Sequence, residues 1–210
     1  MSKLQDIENA VVSGKSKLVA GLVQEALDEG CSAPDILNGM INAMSIVGER
    51  FKKNEIFVPE MLVAARAMKK GVDVLKPHLA SGSAGVCGKA IIGTVAGDLH
   101  DIGKNLVAMM IESAGFEVID LGVDVPVEKF IETVKANPDV KIVGCSALLT
   151  TTMPALKSTV EALNAEDFRS HIKVMVGGAP ITQQFADEIG ADAYTADAAS
   201  AAEKAKELAA

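Results

Sequence analysis

A short loop segment, residues 97–103, carries the pair of side chains with the clearest chemical potential in the chain. It contains His100 and, two residues earlier, Asp98. A carboxylate at that spacing can bind one imidazole nitrogen and leave the other nitrogen free to bind a metal or to move a proton. We therefore expect His100 to act either as a metal ligand or in proton transfer.

The elements around this loop predict where it lies. It follows the β-branched run KAIIGTVA, residues 89–96, and precedes the helical pattern KNLVAMMIESAG. A strand, a short loop and a helix in this order are typical of an open parallel sheet, whose ligands bind at the carboxyl ends of the strands. The loop is thus predicted to lie at the binding edge of a sheet.

Strands and helices alternate throughout residues 86–210. Further strands are predicted at 116–120, 141–145, 173–176 and 192–194, each followed by a helical segment. This alternation predicts an α/β domain with a doubly wound, five-stranded parallel sheet of the flavodoxin/Rossmann-like kind. Its strand ends would bring residues 97–103, 146–152 and 177–178 together along one edge.

Residues 1–85 are predicted to form a separate helical domain. Apolar residues recur at steps of three and four, Ser32 is placed as the N-cap of one helix, and Val58-Pro59 begins another. Four helices with short connections predict a four-helix bundle. The segment 80–85 is rich in Gly and Ser and is predicted to be a flexible linker.

Charge and composition disfavour several classes of partner. The formal net charge is −8, so the summed field repels phosphate backbones and anionic lipid surfaces, and we expect neither nucleic acid nor membrane as a partner. There is no basic leader followed by an apolar run, and no long uninterrupted apolar stretch. The three cysteines form no Cys-x-x-Cys pair, which argues against a zinc knuckle or a disulfide framework. These features predict a cytoplasmic protein.

Three blocks in the second half resemble the cobalamin-binding signature of methionine synthase, of corrinoid-dependent mutases and of the corrinoid proteins of methyltransferase systems. Asp98-x-His100-x-x-Gly103 is followed by Ser146-x-Leu148 and then by Gly177-Gly178, each in a strand–loop context. Three blocks in this order and spacing are far more specific than one motif alone.

The first half resembles the helical cap module of methionine synthase. The matching segments are Val47-Gly48-Glu49-Arg50-Phe51 and Phe57-Val58-Pro59-Glu60. The resemblance therefore covers nearly the whole chain, but it includes no catalytic barrel domain.

The resemblance implies a role for each matched residue. His100 would replace the cofactor's own benzimidazole as lower axial ligand to the cobalt of cobalamin or a related corrinoid. Asp98 would accept a hydrogen bond from its other nitrogen, and Thr152, where methionine synthase has Ser, would extend this relay. Phe51 and Val58 would lie over the upper cobalt face; methionine synthase has Leu at the Val58 position. The other implied cofactor contacts are Gly97, Asp101, Ile102, Gly103, Ser146, Leu148, Thr150, Gly177 and Gly178.

The function implied is that of a corrinoid methyl carrier. A substrate:corrinoid methyltransferase would load the methyl group to give methylcobalamin, and a second methyltransferase would pass it to tetrahydrofolate or a thiol, with a reductive activase as a further partner. Neither half shows a constellation for activating a methylated substrate, so no stand-alone activity is evident.

Several alternatives stay open. The cobalamin-binding small subunit of an adenosylcobalamin-dependent mutase would explain residues 86–210 but not the cap, whereas a cobalamin-based sensor would normally add a basic DNA-binding domain. Without a corrinoid, Gly177-Gly178 or Lys104-Asn105 could cradle a phosphate at a helix N-terminus. Asp101 is best interpreted as a helix N-cap with no chemical role, and Phe51 and Val58 could be bundle core.

Overall fold

A computed structural model of the chain describes residues 3–79 and 87–210. The described residues divide into two units, one built from the N-terminal helices and the other from a sheet with its covering helices. The predicted linker, residues 80–85, lies outside the described residues. Among the helices of the described ranges, none combines the length and apolar character needed to cross a membrane.

The helical unit confirms the four predicted helices. They are α1 (Lys3–Val12), α2 (Ser16–Asp28), α3 (Ala33–Lys52) and α4 (Val58–Leu75). Ser32 caps α3 as predicted, since its Oγ accepts a hydrogen bond from the Asp35 N–H at 3.2 Å. Pro59 lies in the first turn of α4, where a fixed φ and a missing N–H cost nothing. Pro77 lies in a 3₁₀ turn, Lys76–His78, that follows α4.

The sheet unit alternates strands and helices as predicted. Its elements are β1 (Gly88–Val95), α5 (Ile102–Ser113), β2 (Phe116–Val125), α6 (Val127–Ala136), β3 (Val140–Ser146), α7 (Met153–Asn164), β4 (Lys173–Gly177), α8 (Gln183–Ile189), β5 (Ala193–Tyr194) and α9 (Ala198–Ala209). The strand order is β2-β1-β3-β4-β5, and every pair is parallel. The chain changes direction across the sheet between β1 and β3, which is where open sheets of this class bind ligands.

Several strand boundaries differ from the predicted ones by one residue, and two differences beside the His100 loop affect the site. Helix α5 begins at Ile102 rather than at 103–104, because the Asp101 carbonyl already accepts a hydrogen bond from the Asn105 N–H at 2.7 Å. Asp101 therefore takes the N-cap position, as interpreted from the sequence. Strand β2 continues to Val125, five residues beyond its predicted end at 120, with Gly122 and Asp124 at positive φ interrupting its regular pattern.

Cys145 lies in the core of the sheet and gives a pH-dependent stability that can be measured. Its side chain is buried, and this burial raises the pKa of the thiol from 9.0 to about 12. The unfolded chain releases this proton at the ordinary pKa, whereas the folded protein keeps it. We therefore expect the free energy of unfolding to fall by about 1 kcal/mol per pH unit above pH ~9.

Urea unfolding of the wild type and of Cys145→Ala across alkaline pH tests this expectation. The stability difference between the two proteins should shrink as pH rises, whereas Cys31→Ala, at a half-buried position, should stay parallel to the wild type. Parallel pH profiles for wild type and Cys145→Ala would show that burial of this thiol has no such effect.

Candidate functional site

The structure brings the three predicted loop segments together at one edge of the sheet. Thr94 pairs with Ser146 across β1 and β3, and Ser146 pairs with Gly177 across β3 and β4. Because the three strands end level with one another, the loops that follow them are neighbours. The loop after β1 holds Asp98 and His100, and the loop after β3 holds Thr152.

Asp98 is the centre of a hydrogen-bond network that joins the first two loops. Its carboxylate is fully buried. The Oδ1 atom lies 2.7 Å from His100 Nδ1 and accepts the His100 backbone N–H at 3.1 Å. The Oδ2 atom accepts the Leu148 N–H and the Thr152 hydroxyl, both at 2.7 Å. One carboxylate thus fixes the histidine and the loop that follows β3.

The balance of burial and hydrogen bonding decides the charge of this carboxyl. Burial raises the pKa of Asp98, but the hydrogen bonds from Leu148, Thr152 and His100 outweigh burial and hold the pKa well below its ordinary value. Asp98 is therefore ionised and can only accept hydrogen bonds, so His100 must donate its Nδ1 proton. In the neutral imidazole, the Nε2 lone pair is then the one left for another group.

The side chains of this site suit a metal ion that is already bound by most of its ligands within a cofactor. The His100 side chain is 49% exposed, so its ring is accessible from solvent. Within residues 3–79 and 87–210, no group of three or more His, Cys, Asp or Glu side chains could hold a metal ion. One imidazole suffices when a macrocycle supplies the equatorial nitrogens, as the corrin ring does for cobalt, and a neutral imidazole suits such a metal.

Exposed apolar side chains lie in the loop of His100 and in the loop that binds the Asp98 carboxylate. Leu99 and Ile102, on either side of His100 in sequence, are 72% and 85% exposed, and Leu148 and Leu149 of the second loop are each 41% exposed. Clustered exposed apolar side chains are typical of a binding surface. This surface suits a large, partly apolar ligand above His100 better than a small polar one.

The glycines of the motif have different local requirements. Gly97 has a φ of +81° in the tight turn that ends β1, where the Asp98 N–H donates to the Val95 carbonyl at 3.1 Å. Within residues 3–79 and 87–210, a Cβ on Gly103 would meet no atom within 4 Å outside its own helix and chain neighbours, whereas one on Gly178 would lie 1.8 Å from the Ala147 carbonyl oxygen. Gly103 therefore leaves open space, and Gly178 serves the contact between two loops.

The remaining predicted residues occupy varied positions. Ser146 is half-buried at the end of β3, and Thr150 is exposed in the 3₁₀ turn that leads to Thr152. Phe51, half-buried near the end of α3, and Val58, 40% exposed at the start of α4, belong to the helical unit.

Sequence reasoning missed Thr94. This residue of β1 is fully buried, and its hydroxyl donates to the His100 carbonyl at 2.9 Å and lies 3.4 Å from Ser146 Oγ. Threonine is common in strands, so its type gave no signal. Its place, one residue before the end of the strand that carries the motif, could have suggested the role.

Comparisons with known proteins show the family of both units. Residues 88–205 match the family model described as the B12 binding domain, and residues 3–76 match a second B12 binding domain model. The chain is 46% identical to the dimethylamine corrinoid protein of Methanosarcina barkeri, over 98% of this chain and 96% of that protein.

Solved structures give the same result. A cobalamin-binding protein from Desulfitobacterium hafniense DCB-2 superposes with a TM-score of 0.83 at 32% identity, covering 99% of both chains. The methanol:cobalamin methyltransferase complex MtaBC from Methanosarcina barkeri contains a chain that superposes with a TM-score of 0.84 at 28% identity, covering 99% of this chain and 79% of that one.

Proposed function

Because this chain belongs to the B12-binding corrinoid proteins of methyltransferase systems, which carry methyl groups between methyltransferases, we propose that His100 is its ligand to the corrinoid cobalt. When bound, the corrinoid supplies a cobalt centre that accepts a methyl group and releases it to an acceptor. The proposal rests on the 2.7 Å contact between buried Asp98 and His100 Nδ1. This contact fixes the neutral imidazole and leaves its Nε2 lone pair to bind the metal.

Two residues of the chain hold the His100 ring in place. Asp98 sets the tautomer of His100, and Thr152, whose hydroxyl binds the same carboxylate, keeps Asp98 from rotating away. Partners of this kind orient a metal-binding imidazole and make it a stronger ligand. Thr152 therefore supplies the hydroxyl that the resemblance assigns to a Ser in methionine synthase.

We propose that the two loops and the cap residues also contact the cofactor. Gly97, Asp101, Ile102 and Gly103 would approach it from the first loop, Ser146, Leu148 and Thr150 from the second, and Gly177 and Gly178 from the third. Phe51 and Val58 of the helical unit stay cofactor contacts that the resemblance implies. In support, Ile102 and Leu148 are exposed apolar residues and Gly103 has open space at its Cα.

We propose a methylamine as the methyl donor, which a separate methyltransferase would activate. Support comes from the 46% identity to a dimethylamine corrinoid protein over nearly the full length of both chains. A second methyltransferase, acting on tetrahydrofolate or a thiol, and a reductive activase complete the proposed set of partners. The cytoplasmic location and the domain limits, 1–85 and 86–210, stay predictions from the sequence.

The alternatives are not favoured. A mutase small subunit or a cobalamin-based sensor shares the B12-binding signature, but the relative and the complex described above belong to methyltransferase systems, and they match the helical unit as well as the sheet unit.

Gly103→Ala gives a direct test of the cofactor contacts. A Cβ here would meet no atom of another element among the described residues, so the apoprotein should keep its stability or gain up to about 1 kcal/mol from better helix propensity. If the cofactor approaches this backbone, the added methyl group should overpack the contact and weaken binding about tenfold. Spectroscopic titration of the wild-type and Gly103→Ala apoproteins with hydroxocobalamin measures the two affinities.

Gly21→Ala is the matched control. Gly21 also lies in a helix, and in the part of the chain that the structure describes an added Cβ would meet no atom of another element within 4 Å, but it belongs to α2 in the helical unit. The affinity of Gly21→Ala for hydroxocobalamin should equal that of the wild type. Failure of the wild type to bind hydroxocobalamin stoichiometrically would contradict the proposed function, and equal affinities for all three proteins would contradict the role of Gly103.

The methyl donor is tested by reconstitution. The cobalamin-loaded protein is reduced and mixed with a dimethylamine, monomethylamine or methanol methyltransferase and the matching substrate, and methylation is followed by absorbance. We expect methylation with an amine-specific partner. Methylation with the methanol enzyme alone would contradict a methylamine donor.

A further inference from the structure

The edge strand β2 is bulged beside the loop that carries His100. Ile92 of β1 pairs with Asp120, and Val95 pairs with Val125, so β2 uses two more residues than β1 over the same stretch. Such bulges turn side chains out of their regular direction and are common near functional sites. The extra residues give β2 side chains a reach toward the loop that a regular strand would not have.

Asp124 lies in this bulge and holds the start of the loop through two hydrogen bonds. Its Oδ1 accepts the Gly97 N–H at 2.7 Å, and its own N–H donates to the Asp98 carbonyl at 2.9 Å. The two bonds enclose the main chain of Gly97 and Asp98. They therefore fix the backbone from which the buried carboxylate extends to His100.

The backbone of Asp124 is in a conformation that favours glycine. Its φ is +52°, in the left-handed region, which is unfavourable for an L-residue. A glycine would remove this cost but would have no side chain to accept the Gly97 N–H. An unfavourable backbone kept together with a short side-chain contact suggests that the carboxylate has a role.

Asp120, which precedes the bulge in β2, holds the beginning of the helix that follows the loop. Lys104 Nζ lies 2.6 Å from both carboxylate oxygens of Asp120, and the Lys104 side chain is only 2% exposed. Asp120 also accepts the Gly122 N–H at 2.9 Å. Since a buried ammonium group is tolerated only with a partner, this contact fixes α5 against β2.

We propose that Asp124 and Asp120 form a brace on β2 that positions the His100 loop from both of its ends. The brace keeps Asp98 and His100 in their bonded geometry before any ligand arrives. Both are positioning residues, since they act through the loop backbone. The proposal deepens the proposed function and rests on it for the role of His100 as a ligand.

Nitrogen NMR of the histidine rings in the apoprotein tests the brace without the cofactor. The chain has three histidines, so comparison with His100→Gln identifies the ring signals of His100. At mildly alkaline pH the wild type should show one neutral tautomer of His100, with the proton on Nδ1. In Asp124→Ala and Asp124→Gly, which lack the acceptor for Gly97, we expect a mixture of both tautomers.

Three variants isolate the cause. Asp124→Asn keeps an oxygen acceptor and tolerates positive φ, so it should keep the wild-type tautomer. Asp139→Ala removes an exposed carboxylate that pairs with Lys89 in β1, and should also match the wild type. Lys104→Met breaks the other end of the brace and should again give a mixture. Circular dichroism confirms that each variant is folded.

A single tautomer in Asp124→Ala, Asp124→Gly and Lys104→Met would overturn the brace. So would a mixture in Asp124→Asn equal to that in Asp124→Ala, because the acceptor would then not be the cause. In a separate titration with hydroxocobalamin, Asp124→Ala should bind about threefold to tenfold more weakly than the wild type. A wild type that binds no cobalamin contradicts the proposed function but leaves the tautomer result valid.

Discussion

Replacing Gly178 with alanine is expected to lower the free energy of unfolding by about 3 kcal/mol or more, whereas Gly177→Ala should cost less than about 1 kcal/mol. An added Cβ at Gly178 would lie 1.8 Å from the Ala147 carbonyl oxygen and 2.7 Å from its carbonyl carbon. Both are backbone atoms of a buried residue and cannot move aside cheaply. The φ of +132° at Gly178 adds strain for any residue with a side chain.

Gly177 provides the control at the neighbouring position. Among the described residues, its Cβ would meet only the Thr195 carbonyl oxygen at 3.6 Å, an ordinary contact, and its φ is not positive. Urea unfolding of the apoproteins at neutral pH measures both effects. Similar losses for the two variants would show that the close approach to Ala147 does not determine stability here.

Asp98→Asn is expected to lower the free energy of unfolding by about 2–3 kcal/mol at neutral pH, because it removes a buried charge that several donors solvate. The amide cannot accept from every donor that the carboxylate serves, and its own NH₂ group faces donors. The effect also depends on pH. Since the folded pKa of Asp98 lies well below the ordinary one, its stabilising effect is present above pH ~4 and is lost as pH falls below that value.

Urea unfolding at several pH values from neutral to acid compares the wild type with Asp98→Asn. The gap between the two proteins should narrow below pH ~4, where the unfolded wild type begins to bind a proton that the folded protein does not. Asp139→Asn, at an exposed carboxylate, should stay close to the wild type throughout. A gap of constant size at all pH values would contradict the account of the Asp98 network.

The fold could be predicted from the periodicity of apolar residues in the sequence. The position of the site could then be predicted from the fold. Alternating strand and helix patterns predicted five parallel strands, and the carboxyl ends of β1, β3 and β4 then had to meet. The helix cap at Ser32 was equally predictable, because capping depends on local residue types. Local signals of this kind need no knowledge of distant residues.

The contacts that link distant residues were less predictable. The Asp98–His100 bond joins residues two apart and was predicted, but the hydroxyl of Thr94 on the His100 carbonyl was not, because a strand threonine usually has only a packing role. The bulge in β2 was missed for a related reason: the strand prediction stopped at Asp120, and nothing local showed that Asp124 would reach Gly97.

The structure was also needed to show why glycine is required at particular positions of the motif. Gly177-Gly178 was interpreted as a pair that admits the cofactor, yet the requirement at Gly178 is already present between two loops of the protein itself. Which neighbour a glycine accommodates depends on the register of β3 against β4, and a single sequence does not specify that register.

The identity of the nitrogen bound to cobalt decides whether His100 is the ligand. Protein labelled with ¹⁵N in its histidines is loaded with cobalamin, reduced to the paramagnetic Co(II) state and measured by electron paramagnetic resonance beside unlabelled protein. We expect labelling to change the nitrogen splitting from a triplet to a doublet, and we expect His100→Ala to lose this signal while His171→Ala keeps it. A triplet that survives labelling would show that the cofactor's own base remains bound, which would contradict His100 as the ligand.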